Sequence, residues 1–282
     1  MAPLPRKGLL LINLGTPEAP TTTAVRRYLR EFLSDPRVID IHPIGRWLLL
    51  NLVILPRRPR VSAAAYQKIW TDRGSPLLVQ SMELARLVAR ELDGEMEVEL
   101  GMRYGQPSLT VALDRLRRKG VRELTAVPLY PQGAASSTGS SLARLYELLK
   151  DSWDPLPAKI AGPFFADPDF LDAFAQVARP VLDTARPEHV LFSFHGLPER
   201  QVRRSDPTAT MQALYPRKPA TMAPLPGFPL QELAKNSTPN RDRKRGLPHL
   251  DIRSLAPQTP RGVFSDAVAR WRKMCLRLGN AL

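Results

Sequence analysis

The stretch Gly8-Leu-Leu-Leu-Ile-Asn-Leu-Gly-Thr-Pro17 decides the fold, because an unbroken apolar run of strand length leads directly into turn-forming residues. Near-continuous hydrophobicity is typical of a strand that is buried on both faces of a parallel sheet. Four further runs share this character: Met96–Met102, Leu124–Leu129, Ala158–Ala161 and Val190–Phe194. These runs predict a buried sheet that begins with the first of them.

Segments with helical periodicity lie between the predicted strands. Thr21–Leu33 starts with threonines, which are good N-caps, and its apolar residues Val25, Tyr28, Leu29 and Phe32 follow helical spacing. The other predicted helices are Met82–Leu92, Leu109–Arg118, Ser141–Leu149 and Pro168–Leu182. This alternation, with connections of this length, predicts an α/β protein with a doubly wound parallel sheet.

The composition is that of an ordinary globular protein, with 43% apolar and 24% charged residues in 282. The single cysteine, Cys275, excludes a disulfide framework, a thiolate zinc site and a cysteine-ligated iron–sulfur cluster within one chain. The first apolar run is too short for a signal peptide and lacks a small-residue cleavage site. We therefore expect a cytoplasmic protein.

The formal charge of +14 is concentrated in the last part of the chain. Residues 1–206 carry 28 Lys and Arg against 23 Asp and Glu, whereas residues 207–282 carry 13 against 4. Ten prolines also fall in those last 76 residues, and the strand–helix rhythm stops there. We predict a solvated, poorly ordered tail, in preference to a nucleic-acid-binding or membrane-binding patch, and expect no nucleic acid as a partner.

Residues 38–60 interrupt the alternation. The apolar run Trp47–Leu55 is followed by the basic run Pro56–Arg60, and it is far too short to cross a bilayer. It has two interpretations. It is either a helix packed in the core, or an exposed apolar lip that takes an apolar ligand or rests on a membrane beside its arginines.

The strongest candidate for chemistry is His195, which follows a predicted strand and precedes Gly196, where the chain must turn. Ligands of open α/β sheets bind in the crevice beyond the carboxyl ends of the strands. An imidazole there accepts a proton or ligates a metal near neutral pH. The alternative is a structural histidine that is hydrogen-bonded to nearby backbone groups.

Three other strand ends carry polar or glycine-rich loops. The loop Pro128–Ser141 leads into a helix through Ser136, Ser137 and Thr138, which either hold an anionic group such as a carboxylate or simply cap the helix. The remaining two loops are Gly101–Gly105, which presents Arg103 and Tyr104, and Asn13–Pro17. Four such ends on one edge of a sheet describe a cleft.

Together these residues closely resemble the ferrochelatase family. The motifs that carry the resemblance are Leu11–Pro17, Gly74–Leu77, Gly101–Tyr104, Tyr130–Ser140 and Phe192–Glu199, in the family's order and spacing over residues 6–206. The resemblance implies two Rossmann-like lobes with a porphyrin in the cleft between them. It also implies a lyase that inserts Fe²⁺ into protoporphyrin IX, in preference to coproporphyrin III, during haem biosynthesis.

The resemblance further implies roles for individual residues. His195 matches the family's catalytic histidine, as the acceptor of pyrrole protons, as an iron ligand, or as both. Residues 38–60 resemble the apolar lip over the active site, where peripheral membrane contact is expected, and Arg58 pairs with a propionate. The residues expected to line the macrocycle are Arg103, Tyr104, Tyr130, Gln132, Ser136, Ser137 and Thr138.

Neither an iron–sulfur cluster nor any cofactor beyond the substrate iron is expected. Leu14 stands where some relatives carry a tyrosine near the metal, so that position supplies no axial ligand. The implied domains are an N-terminal lobe over 1–162, the start of the second lobe over 163–206, and a divergent segment over 207–282.

The resemblance ends abruptly near Asp206. The family's carboxylate cluster, with a glutamate opposite the histidine, is not visible in residues 207–282. One hypothesis is a shift of reading frame or a misassigned gene end. The alternative function is that of a catalytically impaired porphyrin-binding remnant that lacks the acidic half of the site.

Overall fold

A computed structural model describes residues 6–187, 189–190 and 195–206. The chain divides into two compact units, with the boundary after Pro187, and each is described by itself. The segment 207–282 lies outside the described residues, as does most of the predicted strand Val190–Phe194. The predicted domain boundaries therefore stay predictions.

The first unit is built on a four-stranded parallel sheet. Its strands are β1 (Arg6–Gly15), β2 (Met96–Tyr104), β3 (Val121–Pro128) and β4 (Ala158–Ile160). Their order is β2-β1-β3-β4, with Gly15 opposite Tyr104 and Ile12 opposite Pro128. The α/β class, the parallel sheet and these four predicted strands are confirmed.

Eight helices lie in the described residues. They are α1 (Thr22–Ser34), α2 (Pro43–Leu48), α3 (Leu55–Ile69), α4 (Pro76–Glu91), α5 (Leu109–Arg118), α6 (Ser140–Lys150), α7 (Pro168–Ala185) and α8 (Glu199–Ser205). The predicted cap of α1 is confirmed, since the Thr21 hydroxyl accepts a hydrogen bond from the Ala24 amide. The start predicted for α4, at Met82, was wrong, because the helix already begins at Pro76. Proline is tolerated in the first turn of a helix, since the N–H that it lacks would have no acceptor within the helix there.

Helices cover both faces of the sheet, as a doubly wound fold requires. Alternate residues of β1 point to opposite faces, so Leu9 and Leu11 pack in the cluster that contains Val88 of α4. Leu10 and Ile12 pack instead in the cluster formed with α5 and α6. The apolar run that predicted a doubly buried strand therefore faces two separate cores.

The lip, as we call residues 38–60, is helical over most of its length. It comprises α2, the π-helical segment Leu49–Ile54 and the start of α3. Leu50, Leu55 and Pro59 anchor it in the interior, whereas Trp47 and Leu52 are 60% and 64% exposed. The core-helix interpretation is therefore wrong for most of this segment.

Candidate active site

Three strands of the first unit end at one edge of the sheet, and the chain leaves β1 and β3 in opposite directions there. This is the topological switch point at which α/β sheets bind ligands. β1 ends at Gly15, whose φ of +107° and close approach to β2 admit no side chain. A Cβ at this position would lie 1.7 Å from the Tyr104 carbonyl oxygen. The glycine therefore lets the ends of β1 and β2 come together.

Two sequence motifs that are far apart in the chain meet at this edge. The Thr16 hydroxyl donates to Ser75 Oγ at 2.9 Å, and Asn13 Nδ2 donates to Ser81 Oγ at 3.0 Å. These contacts tie the loop after β1 to the N-terminal part of α4. The Asn-Leu-Gly-Thr-Pro and Gly-Ser-Pro-Leu motifs thus form one structural unit.

A buried polar cluster lies beside this edge, and we call Asp35, Arg103, Tyr104 and Ser140 the Asp35 network. Arg103 Nη2 donates to Asp35 Oδ2 at 2.7 Å, and the Tyr104 hydroxyl donates to the same oxygen at 2.9 Å. The Ser140 hydroxyl donates to it as well. One carboxylate therefore joins the end of α1, the end of β2 and the start of α6.

Arg103 is held on several sides. Its Nε donates to the carbonyl and hydroxyl oxygens of Ser140, at 3.1 and 2.8 Å. Its guanidinium carbon lies 4.3 Å from the centroid of the Tyr104 ring, in cation–π contact. Because Asp35 neutralises its charge, Arg103 acts at this edge mainly as an oriented hydrogen-bond donor.

Asp35 is ionised at neutral pH. Burial is the largest influence on its pKa and raises it. The hydrogen bonds that its oxygens accept, followed by the charge of Arg103, oppose burial and outweigh it, so the pKa of Asp35 lies below its ordinary value. Burial raises the pKa of Tyr104 well above its ordinary value, so its phenol stays a neutral donor.

Helix α1 presents one face to the strand ends. The Tyr28 hydroxyl donates to the Gly15 carbonyl at 3.2 Å, and Glu31 Oε2 accepts from the Gly105 amide at 3.0 Å. Phe32 packs edge-on against Tyr104, with ring centroids 5.1 Å apart. With Asp35 these residues follow helical spacing, so α1 braces the ends of β1 and β2.

The loop after β3 brings the predicted binding residues to the same edge. The Tyr130 hydroxyl hydrogen-bonds with Ser141 Oγ at 3.1 Å, and burial raises the pKa of Tyr130 to about 12. Gln132 is exposed. Ser136, Ser137 and Thr138 are half-buried in the π-helical segment Ala135–Gly139, which leads directly into α6.

The hydroxyls of this segment differ in their bonding. The Ser137 hydroxyl makes only a long contact of 3.5 Å, to the Ala134 carbonyl. The Thr138 hydroxyl oxygen is buried and has no hydrogen-bond partner in the described part of the chain. The Ser137 hydroxyl is therefore available as a donor to an added acceptor, whereas the Thr138 hydroxyl would first have to become accessible.

The predicted binding residues thus fall into three settings. Arg103 and Tyr104 belong to the Asp35 network. Tyr104 is fully buried, so it supports the strand ends and offers no surface to a ligand. Tyr130 and the serines form the neighbouring loop. Arg58 is exposed at the start of α3, within the basic end of the lip.

His195 belongs to the second unit. Its side chain is exposed, it lies in irregular backbone, and α8 starts four residues later at Glu199. Open space surrounds the position of a Cβ on Gly196. The assignment of His195 as the catalytic and metal-binding residue stays a prediction.

Sequence reasoning missed Asp35, which is the centre of the polar cluster. Its signal was available, because it continues the stripe of Val25, Tyr28 and Phe32 along α1. A carboxylate on a buried helical stripe must find compensating donors, and so indicates a polar network.

Within residues 6–187, 189–190 and 195–206, no three His, Cys, Asp or Glu side chains cluster in a way that suits a metal ion. Across the same residues, no helix has both the length and the apolar character that crossing a bilayer requires.

The fold defines an α/β protein whose polar strand ends meet at one edge of a parallel sheet, and sequence comparison identifies the family. The profile of the ferrochelatase family matches residues 6–225. A ferrochelatase of Methylococcus capsulatus is 48% identical over 208 residues, which are 73% of this chain and 63% of the relative. A ferrochelatase of Coxiella burnetii is 46% identical over 70% of this chain and 55% of its own length.

The chain belongs to the ferrochelatase family. A Legionella pneumophila ferrochelatase, 44% identical, is matched over 71% of this chain and 59% of its own length. This chain therefore spans between about half and two-thirds of the curated relatives it matches. The family match reaches past residue 206, where the recognisable motifs end.

Proposed function

We propose that this protein is a ferrochelatase that inserts Fe²⁺ into protoporphyrin IX in haem biosynthesis. The observation that carries the proposal is the family match over residues 6–225, which includes the motif around His195. The assembled carboxyl edge supports it, because its hydroxyl-rich loop suits carboxylate arms and the exposed apolar side chains of the lip suit a flat apolar ring.

The chemistry requires one face of the macrocycle to open. The nitrogen lone pairs of a flat porphyrin lie in its plane, and two N–H protons must leave as Fe²⁺ enters. A site that bends the ring uses binding energy to expose those lone pairs. Neutral His195 then accepts one pyrrole proton, and the other passes to solvent.

The first unit supplies the binding surface in this proposal. The lip presents Trp47 and Leu52 to the apolar ring, while Arg58 pairs with one propionate. The weakly bonded hydroxyl of Ser137 and the unpaired hydroxyl of Thr138 donate to the other. Arg103, Tyr104, Tyr130, Gln132 and Ser136 complete the surface, directly or through the loop that they support.

Insertion of Zn²⁺ or Fe²⁺ into mesoporphyrin IX, followed by absorption, tests the proposal. We expect the full chain to insert metal, and His195→Ala to bind the porphyrin without metallating it. His189→Ala is the matched control, because His189 is exposed nearby but lies outside the motif. Metallation by His195→Ala at the rate of the parent chain would overturn the assignment.

The same assay distinguishes the proposed enzyme from the alternative function, a catalytically impaired porphyrin-binding remnant. A catalytically impaired remnant binds mesoporphyrin IX with His195 intact but does not metallate it. That outcome retains porphyrin binding and contradicts the proposed activity of this chain.

We further propose that the lip rests on anionic membrane surfaces. Its exposed apolar side chains adjoin Arg57, Arg58 and Arg60, and each basic side chain near such a surface contributes about 1 kcal/mol. Co-sedimentation with phosphatidylglycerol vesicles should decrease with salt and with Trp47→Ser. Equal binding to phosphatidylcholine vesicles would contradict this contact.

A further inference from the structure

The Asp35 network connects the proposed binding loop, residues 130–139, to α1 and β2 of the first unit. Ser140, which donates to Asp35, is the residue that follows the π-helical segment Ala135–Gly139. That segment contains the proposed binding hydroxyls. Whatever holds Ser140 therefore also holds the end of the binding loop.

We propose that Asp35 is a positioning residue for the porphyrin-binding surface. It holds Ser140, and hence the loop 130–139, against the end of β2, and it orients the guanidinium of Arg103. Asp35 does not touch the substrate in this account. The inference rests on the proposed function, since the loop is a binding surface only if the ligand is a porphyrin.

Three hydrogen bonds converge on a single Asp35 oxygen, and that convergence requires a carboxylate. Its Oδ2 accepts from Arg103, Tyr104 and Ser140, while Oδ1 accepts from the Arg37 amide at 2.7 Å. An ionised carboxylate only accepts, whereas an asparagine must place an NH₂ group at one of these positions. The substitution therefore leaves buried donors without an acceptor, although the side chain keeps its size.

The network also leaves Arg103 with a donor to spare. Its Nε and Nη2 are bonded to Ser140 and Asp35, and Nη1 has no acceptor among residues 6–187, 189–190 and 195–206. A carboxylate of the ligand fits that donor. Because Asp35 holds the other half of the guanidinium, Nη1 is pre-oriented and loses little freedom on binding.

Asp35 also connects the loop to the lip. It lies at the C-terminal end of α1, three residues before the lip begins, and α1 packs against α3 and the π-helical segment of the lip. Asp35 therefore links the loop 130–139, on one side of the proposed ligand, through α1 to the lip on the other side. Release of the carboxylate should loosen the loop first, because the lip keeps its own anchors, Leu50 and Leu55.

The test combines binding and loop opening in the full chain. Mesoporphyrin IX is titrated against the parent, Asp35→Asn, and the control Asp114→Asn, which changes an exposed aspartate paired with Arg118. Backbone amide exchange of residues 130–140 is measured in the same proteins without porphyrin. All titrations are performed well below the melting temperature of each variant.

We expect Asp35→Asn to weaken mesoporphyrin IX binding by about tenfold, because it leaves a buried donor without an acceptor. The same substitution should accelerate amide exchange in residues 130–140. Asp114→Asn should change neither. Tyr104→Phe removes the hydrogen bond from Tyr104 to Asp35 but keeps the charge pair with Arg103. Its effects on affinity and on amide exchange should therefore lie between those of Asp35→Asn and Asp114→Asn. This variant also provides the test if Asp35→Asn does not fold.

A double-mutant cycle separates positioning from general stability. If Asp35 acts through the loop, Ser137→Ala should weaken binding less in the Asp35→Asn background than in the parent, whereas their effects on unfolding should add. Additive losses in binding, or unchanged exchange in residues 130–140, would overturn the proposal. Failure of the parent to bind mesoporphyrin IX would instead contradict the proposed function. The exchange data would still show whether Asp35 holds the loop 130–139 in place.

Discussion

The Asp35 network and the lip, which begins three residues after Asp35, are built in opposite ways. The network buries a charge pair and two hydroxyls almost completely, and its members are joined by short hydrogen bonds. The lip instead exposes about half of its large apolar side chains, including Trp47 and Leu52, and is anchored by the buried Leu50, Leu55 and Pro59. One side of the proposed binding surface is therefore fixed by buried polar contacts, whereas the other offers exposed apolar side chains to a ligand.

Breaking the network should have the largest effect on stability. Arg103→Met removes the cation and leaves Asp35 as a buried, unpaired charge, which costs about 3 kcal/mol. Urea unfolding followed by circular dichroism measures the loss. Adding Asp35→Leu to Arg103→Met should recover part of it, because the uncompensated charge is then gone. A loss of less than about 1 kcal/mol in Arg103→Met would contradict a tightly coupled pair.

Removing an anchor of the lip should have the next largest effect. Leu50→Ala deletes a side chain that is 4% exposed, and we expect a loss of about 2 kcal/mol. Leu52→Ala is the matched control on the same segment, and at 64% exposure it should change stability by less than about 0.5 kcal/mol. Equal losses for the two leucines would show that the lip is packed in solution and would remove the contrast with the network.

Acid should weaken the network but not the lip. The folded pKa of Asp35 lies below its unfolded value of about 3.9, so its contribution is fully present above that pH and is lost as the pH falls through the folded pKa. The free energy of unfolding of the parent should therefore approach that of Asp35→Asn as the pH is lowered below about 4. A gap between the two proteins that stays constant from pH 7 to pH 3 would contradict the ionised state of Asp35.

The smallest effect on stability is expected from Trp47→Ala. The side chain is 60% exposed, so unfolding should change by less than about 0.5 kcal/mol. Binding of mesoporphyrin IX should nevertheless weaken, because the indole is proposed to cover the ring. Trp153→Ala serves as the control, since that tryptophan is fully exposed after α6 and belongs to neither the lip nor the network. Unchanged affinity in Trp47→Ala would remove the lip from the proposed binding surface.

The sheet was predictable because its signal is local. The run Gly8–Leu14 is apolar at every position but its asparagine and its first glycine, and such a run fits only a strand with a core on each face. The exposed helix of the lip was not predicted as such, because we expected a helix there only if the segment packed in the core.

The candidate site was predicted only in outline. Strand ends with glycine and hydroxyl residues indicated the carboxyl edge, and the structure brings Arg103, Tyr104 and Tyr130 to it. Which of these side chains faces a ligand and which is buried depends on contacts across the fold, such as that between Asp35 and Ser140, 105 residues apart. No local pattern encodes such a pair.

The most direct test of the account is the footprint of mesoporphyrin IX on the full chain, measured by amide hydrogen exchange. We expect protection in residues 43–55 of the lip and 130–140 of the loop, with no change in residues 117–121 at the opposite edge of the sheet. Protection at that opposite edge, or stoichiometric binding that leaves both the lip and the loop unprotected, would contradict it.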